Sequence, residues 1–270
     1  MYLSKAFGSA KGLEKGKKQL REIGVMIMSS WFGDMTRAID MYCERRSSAW
    51  DAEPLNAVSN AAFFIAAWAA WRLHERHPSA EFGGAIRALC IIIAVVGAGS
   101  LTFHTLATRW AEWADVIPIL VFMIVYCWLI LTAFFRWPWW LKTLATCLFF
   151  AATFYLESDE FEKVLWGGAM YLPTLVFLMA AGAGIWRRNA SAGKAFYAAA
   201  GLFALSFTAR TLDRPMCDAL PIGTHYFWHL FNAAVLLLLV RTVIVHAPVP
   251  EEEVSSSWGD EPTVLGAPGH

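Results

Sequence analysis

The run Val116-Ile117-Pro118-Ile119-Leu120-Val121-Phe122-Met123-Ile124-Val125-Tyr126-Cys127-Trp128-Leu129-Ile130-Leu131-Thr132-Ala133-Phe134-Phe135 carries no charged side chain. Coiled as a helix at about 1.5 Å per residue it reaches about 30 Å, the thickness of a bilayer's hydrocarbon core. Six further apolar runs separated by charge clusters lie on either side: Pro54–Leu73, Ala85–Phe103, Trp137–Leu156, Val164–Trp186, Ala195–Thr211 and Tyr226–His246. None alternates with period two, so a lipid-facing barrel does not fit, and helices satisfy their own backbone groups without water. The fold class expected is all-α, a seven-transmembrane helix bundle. Composition agrees: 57% of the 270 residues are apolar and 16% charged, with a mean hydropathy of +0.45, against roughly a quarter charged in soluble domains. The 22 basic and 22 acidic residues cancel, which gives no electrostatic footprint for a nucleic-acid partner.

Three regions follow. Residues 1–39 form an N-terminal extension, 40–246 the membrane domain, and 247–270 an acidic, Ser/Pro/Gly-rich tail with too little apolar content to pack, expected to be disordered. The loops after spans one, three and five and the end of span seven hold Arg72, Arg76, Arg87, Arg136, Lys142, Arg187, Arg188, Lys194 and Arg241 against only Glu75 and Glu81. The alternate loops carry Arg109, Lys163, Arg210 and Arg214, but also Glu112, Asp115, Glu157, Asp159, Glu160, Glu162, Asp213 and Asp218. The positive-inside rule puts the basic loops and the tail in the cytoplasm and the N-terminal side outside, periplasmic or lumenal. Lys5, Lys11, Lys15, Lys17, Lys18 and Arg21 run against that orientation. Two readings stay open for them: a surface-lying helix, or an extension upstream of a start at Met26 or Met28. No secretory signal fits, since no small-residue cleavage site follows the short apolar patch at 23–28.

Cys90, Cys127 and Cys147 fall inside spans, where a thiol serves as a small apolar side chain. Cys43 and Cys217 fall in outer segments, where an oxidising compartment permits pairing. Spacing alone leaves that pairing open.

His104 closes span two on the outer side, and His225 and His229 open span seven on the same side. Four residues apart on a helix, the last two imidazoles share a face, the arrangement with which a helix chelates zinc. Anchoring at the membrane interface is the plain alternative. Ser100 lies one turn deeper than His104, and Asp115 begins span three at the same depth. A hydroxyl, a carboxylate and three imidazoles make a metallohydrolase set. Zinc would acidify a water, Asp115 would take its proton, and Ser100 would donate to an oxyanion.

The string Gly97-Ala98-Gly99-Ser100-Leu101-Thr102-Phe103-His104, then Asp115, then His225-Tyr226-Phe227-Trp228-His229 resembles the signature of the alkaline ceramidase family, within the CREST superfamily of seven-transmembrane hydrolases, in a bacterial-type member. Tyr42-Cys43-Glu44-Arg45 and Glu53-Pro54-Leu55-Asn56-Ala57-Val58-Ser59-Asn60 resemble the family's first-helix region, and the resemblance runs from about Asp40 to His246. It implies zinc on His104, His225 and His229, Asp115 activating the water, Ser100 assisting at the tetrahedral centre, and a disulfide between Cys43 and Cys217. The implied reaction is hydrolysis of the amide of a ceramide-like lipid to fatty acid and sphingoid base. The partner is then a lipid in the bilayer, with no required protein partner evident. Relatives also carry a calcium ion beside the first helix. Its ligands here would be Asp40, Glu44 and Glu53, but the Asp stands one position further back than in the family pattern and Arg46 stands where an Asn ligand is expected. Three carboxylates suit a hard cation, while Arg45 or Arg46 would neutralise them equally well.

Other polar residues have structural readings. Asp213 and Arg214 read as a local ion pair, Asn56 and Asn60 as cross-links between helices, and Trp137, Trp139 and Trp140 as part of an interfacial aromatic belt. Asn189-Ala190-Ser191 matches a glycosylation sequon on the side assigned to the cytoplasm, where it would go unused. The alternative function is a non-catalytic, receptor-like seven-helix lipid binder. A transporter is disfavoured by the lack of paired repeats.

Overall fold

The computed structural model describes residues 34–79, 81–158, 161, 165 and 168–248. Most of the N-terminal extension and of the acidic tail lies outside the described residues. The chain is built from α1 (Pro54–Ser59), α2 (Ala61–Arg76), α3 (Gly83–Leu106), α4 (Arg109–Ala133), α5 (Trp139–Leu156), α6 (Leu172–Trp186), α7 (Ala190–Asp213) and α8 (His225–His246). Short 3-10 turns, Ala169–Tyr171 and Arg214–Met216, open α6 and close α7. Among the described residues there is no strand; one isolated bridge, Ala38 to Thr108, ties the N-terminal segment to the turn between α3 and α4. The protein is an all-α membrane bundle. Six stretches, Gly83–Leu106, Arg109–Ala133, Trp139–Leu156, Ala169–Trp186, Ala190–Met216 and His225–His246, are long and apolar enough to cross a membrane.

The first expected span, Pro54–Leu73, is divided at Asn60 into α1 and α2. The Asn60 side-chain amide donates to the Asn56 carbonyl at 2.8 Å, while the Asn60 backbone N–H turns to Ala57. A local side-chain bond thus takes the carbonyl that the helix ladder would use. The expectation that Asn56 and Asn60 link different helices is corrected here. Asn56 donates to Glu53 at 3.0 Å and Asn60 to Asn56, both within their own segment.

Packing places α8 at the centre, against α2, α3 and α7, with α4 on the outer flank of α3 and α5 at the periphery. Phe63, Ile86, Ile93, Ile130, Phe196 and Val240 belong to one continuous buried core. Large apolar side chains such as Ile65, Trp68, Leu148 and Val176 face outward, as lipid contact requires. Trp139 and Trp140 are exposed beside the start of α5.

Two glycines decide how α3 packs. A Cβ on Gly97 would stand 2.8 Å from Cβ of Phe63 on α2, and one on Gly99 would collide with the Ala114 carbonyl on α4. That carbonyl has lost its ladder donor because Pro118, four residues on, has no N–H. Gly99 therefore seats a backbone oxygen that Pro118 sets free. The consequence is a close approach of the two helices beside Ser100 and Asp115.

Asn189, the sequon residue, caps α7 by accepting the N–H of Ala192 at 2.9 Å. The Asp213 to Arg214 ion pair does not form. Asp213 is buried and accepts backbone N–H groups from Cys43 (2.9 Å), Thr224 (2.7 Å) and His225 (2.9 Å), while Arg214 reaches Asp40 at 3.9 Å. Two of those donors are orphans of the α8 N-terminus, where a carboxylate also suits the helix dipole.

Candidate active site

The end of α3, the start of α4, the end of α7 and the start of α8 meet at one side of the bundle. His104 sits in the last turn of α3, and His225 and His229 in the first two turns of α8. One ligand-type nitrogen from each lies within 4.8 Å of the others. All three rings are buried, at 0%, 2% and 1% exposure, too little for residues that merely anchor a helix in the interface.

The hydrogen bonds set how these rings face. Nδ1 of His104 is 2.6 Å from Oε2 of Glu53, so the carboxylate accepts its proton and leaves a lone pair on Nε2. The Ser59 hydroxyl donates to the Asn56 carbonyl at 2.9 Å, so its oxygen accepts Nδ1–H of His229 at 2.7 Å. His229 is left with its lone pair on Nε2, 3.5 Å from Oγ of Ser100. His225 stacks on Tyr42 with ring centroids 3.6 Å apart. Nε2 of His104 and Nδ1 of His225 are buried without a hydrogen-bond partner among the described residues. Imidazoles oriented from behind, with lone pairs turned to a common space, form a donor set that suits a transition-metal ion.

Asp115 faces the Ser100 hydroxyl, and the two line one cavity with His229. The cavity and its open mouth together take in about 1240 Å³ of space not filled by protein atoms. Beyond this polar end its wall is mostly apolar, with Phe122, Met123, Leu236 and Leu239 among the lining residues. Along α4 it extends from Asp115 to Cys127, about 18 Å of helix. An elongated apolar slot ending in a cluster of histidines, a carboxylate and a hydroxyl suits a lipid tail with its polar linkage at the cluster.

The ceramidase family model matches residues 34–263, most of the chain. The chain belongs to the ceramidase family. A search of curated proteins finds no match. Membership makes this ceramidase-family protein a hydrolase with a lipid substrate, and the three histidines give it a group able to hold a metal ion.

Cys43 and Cys217 form a disulfide, with Cα atoms 5.1 Å apart and a sequence separation of 174. It joins the segment carrying Tyr42 to the connection ahead of α8. Gly223, in that connection, adopts φ of +66° and has no room for a Cβ beside Asp213 and Cys43.

The three carboxylates expected around calcium are held in other contacts in this ceramidase-family protein. Among the described residues the histidines form the one group able to hold a metal. Asp40 is exposed beside Arg214. Glu44 accepts the N–H groups of Leu55 (2.7 Å) and Asn56 (2.8 Å) at the start of α1. Both oxygens of Glu53 are taken, one by Nε of Arg45, the other by His104 and Asn56. Burial pushes the Glu53 carboxyl up, but the hydrogen bonds it accepts from His104, Asn56 and Arg45 outweigh that and hold it below the ordinary carboxylate range.

Sequence reasoning missed several residues here. Ser59 behind His229 and Tyr42 under His225 lie in the stretches that resemble the family's first-helix region but carry no spacing that gives them a role, and Asn232 in the cavity wall lies in no such stretch. Arg210, whose guanidinium lies 4.9 Å over Tyr171 at the cavity, was likewise unmarked except as a charge near a span end.

Proposed function

We propose that this protein is a zinc-dependent membrane amidase that hydrolyses the amide bond of ceramide-like lipids to a fatty acid and a sphingoid base. The observation that carries the reading is the convergence of His104, His225 and His229 with Ser100 and Asp115 at the polar end of a long apolar cavity. Three protein nitrogens and an open position are the ligand count of catalytic zinc. Zinc bound there supplies a Lewis acid and a water acidified toward neutrality.

The chain's own residues do the rest. The apolar slot takes the acyl chain and excludes water from the reacting end. That fixes the amide at the cluster and lowers the entropic part of the barrier. Asp115 accepts the proton of the attacking water and returns it to the leaving amine. Ser100 donates to the oxygen that gains charge in the tetrahedral transition state, with Gly99 holding the two side chains within reach. Glu53 and Ser59 keep the His104 and His229 rings in the tautomer that leaves Nε2 free.

The chemistry faces the non-cytoplasmic side, with the C-terminal tail in the cytoplasm. What supports this orientation is the basic character of the opposite loops and the Cys43–Cys217 disulfide, which needs an oxidising compartment.

Purified protein is expected to contain about one zinc per chain and to release fatty acid from ceramide in detergent or vesicles, read by lipid mass spectrometry. His225→Ala removes one ligand and should abolish both zinc retention and release. Turnover that persists in metal-stripped His225→Ala protein refutes the reading, and lipid binding without release identifies a non-catalytic binder instead.

A further inference from the structure

Arg45 is an arginine in a place where a side chain of its length and charge is costly to bury unless every part is partnered. It is 8% exposed, and its guanidinium makes bonds in three directions. Nε donates to Oε1 of Glu53, Nη2 donates to the His104 carbonyl at 3.0 Å, and Nη1 reaches the carbonyls of Ser47 (3.3 Å) and Ala49 (3.5 Å). Glu53 in turn accepts Nδ1–H of His104 through its other oxygen. The three residues therefore close a ring, Arg45 to Glu53 to the His104 imidazole and, along the backbone of that residue, back to Arg45. A single guanidinium grips His104 through its side chain and its main chain together. The gripped carbonyl belongs to the last turn of α3, where the helix leaves its carbonyls unpaired and favours a cation.

We infer that Arg45 is a built-in cation that positions the metal ligand His104 through Glu53, and that this protein accordingly holds its catalytic metal without calcium. The inference rests on the reading of the histidines as a zinc site. A calcium ion takes six to eight oxygens, whereas Glu44 spends its oxygens on the N–H groups of Leu55 and Asn56, Glu53 on Arg45, His104 and Asn56, and Asp40 stands exposed beside Arg214. Both oxygens of Glu53, the buried member, are used within the ring. The planar fork of the guanidinium fixes direction as a spherical ion does not. Arg45 is a positioning residue, acting on the metal through His104.

Two measurements on full-length protein in detergent test this. In calorimetric titration, calcium chloride added to the zinc-loaded wild type should give no saturable binding below millimolar concentration and no change in melting temperature. In competition with a colorimetric chelator, the zinc Kd should rise about 10- to 100-fold in Arg45→Ala, and less in Arg45→Lys, which keeps the charge without the fork. The Arg45→Ala/Glu53→Gln double variant should lose little more than either single one, because the pair acts as a unit. Saturable micromolar calcium binding by the wild type overturns the inference. So does an Arg45→Ala protein that melts lower yet holds zinc as tightly as before, since that marks a merely structural residue. If Arg45→Ala does not fold, the calcium titration and Arg45→Lys still decide. Zinc binding without amide cleavage would remove the amidase reading and leave Arg45 its place. A wild type that binds no zinc overturns both.

Discussion

Ser100 and Asp115 are separated by 14 intervening residues and a helix turn, yet they share a cavity wall with His229. Their proposed duties differ, and so do the losses expected on removing them. Ser100→Ala deletes one donor to the developing oxyanion and should lower kcat about 10²- to 10³-fold. Asp115→Asn deletes the base and should lower it about 10²- to 10⁴-fold. In both variants the zinc content should match the wild type, because neither side chain belongs to the three-histidine group. Loss of zinc from either, measured by metal analysis, would contradict the division of labour. At this scale much of the site was legible in the sequence. Helical periodicity alone carries Ser100 over His104 and His225 over His229. Glu53 and Arg45 were not legible in their present roles, since each acts through a contact that no spacing along the chain expresses. The same acids and bases in a row are compatible with a calcium site or an ion pair. Only the placement of His104 beside Glu53 separates them.

Between elements, the seat of the Ala114 carbonyl on Gly99 is the contact on which Ser100 and Asp115 depend. Gly99→Ala puts a methyl group into that seat and must force α3 and α4 apart. Overpacking of this kind typically costs about 1–3 kcal/mol. We expect a lowered melting temperature together with a fall in kcat, because the shift separates the hydroxyl from the carboxylate. A Gly99→Ala protein with full activity would show that the close approach serves packing alone. Hydropathy located the long spans well, because about 20 apolar residues in a row leave few alternatives in a bilayer. It did not foresee the division at Asn60. Averaging over a window registers how apolar a segment is, whereas the interruption comes from one amide competing with the backbone for one carbonyl. The seat itself went unread for a similar reason: Gly99 and Pro118 lie on different helices, and each alone is an ordinary residue in a membrane span.

For the whole molecule, the disulfide and Asp213 fasten the N-terminal segment to the last helix. Cys43 contributes to both attachments, through its sulfur to Cys217 and through its N–H to Asp213. Loss of a crosslink that closes so long a loop typically costs about 2–5 kcal/mol. Cys43→Ser is expected to lower thermal stability in detergent by an amount in that range. It should also weaken zinc retention, as Tyr42 is freed from the His225 ring. Equal stability of the variant and the wild type would place the burden on Asp213 alone. A second consequence concerns synthesis. A chain made from its N-terminus presents Cys43, Glu53 and His104 to the membrane well before Cys217, His225 and His229 exist. The proposed hydrolytic centre thus cannot close until the final helix has been inserted. A protein interrupted in translation, or cut before that helix, is left with an open lipid slot and no means of cleaving what enters it.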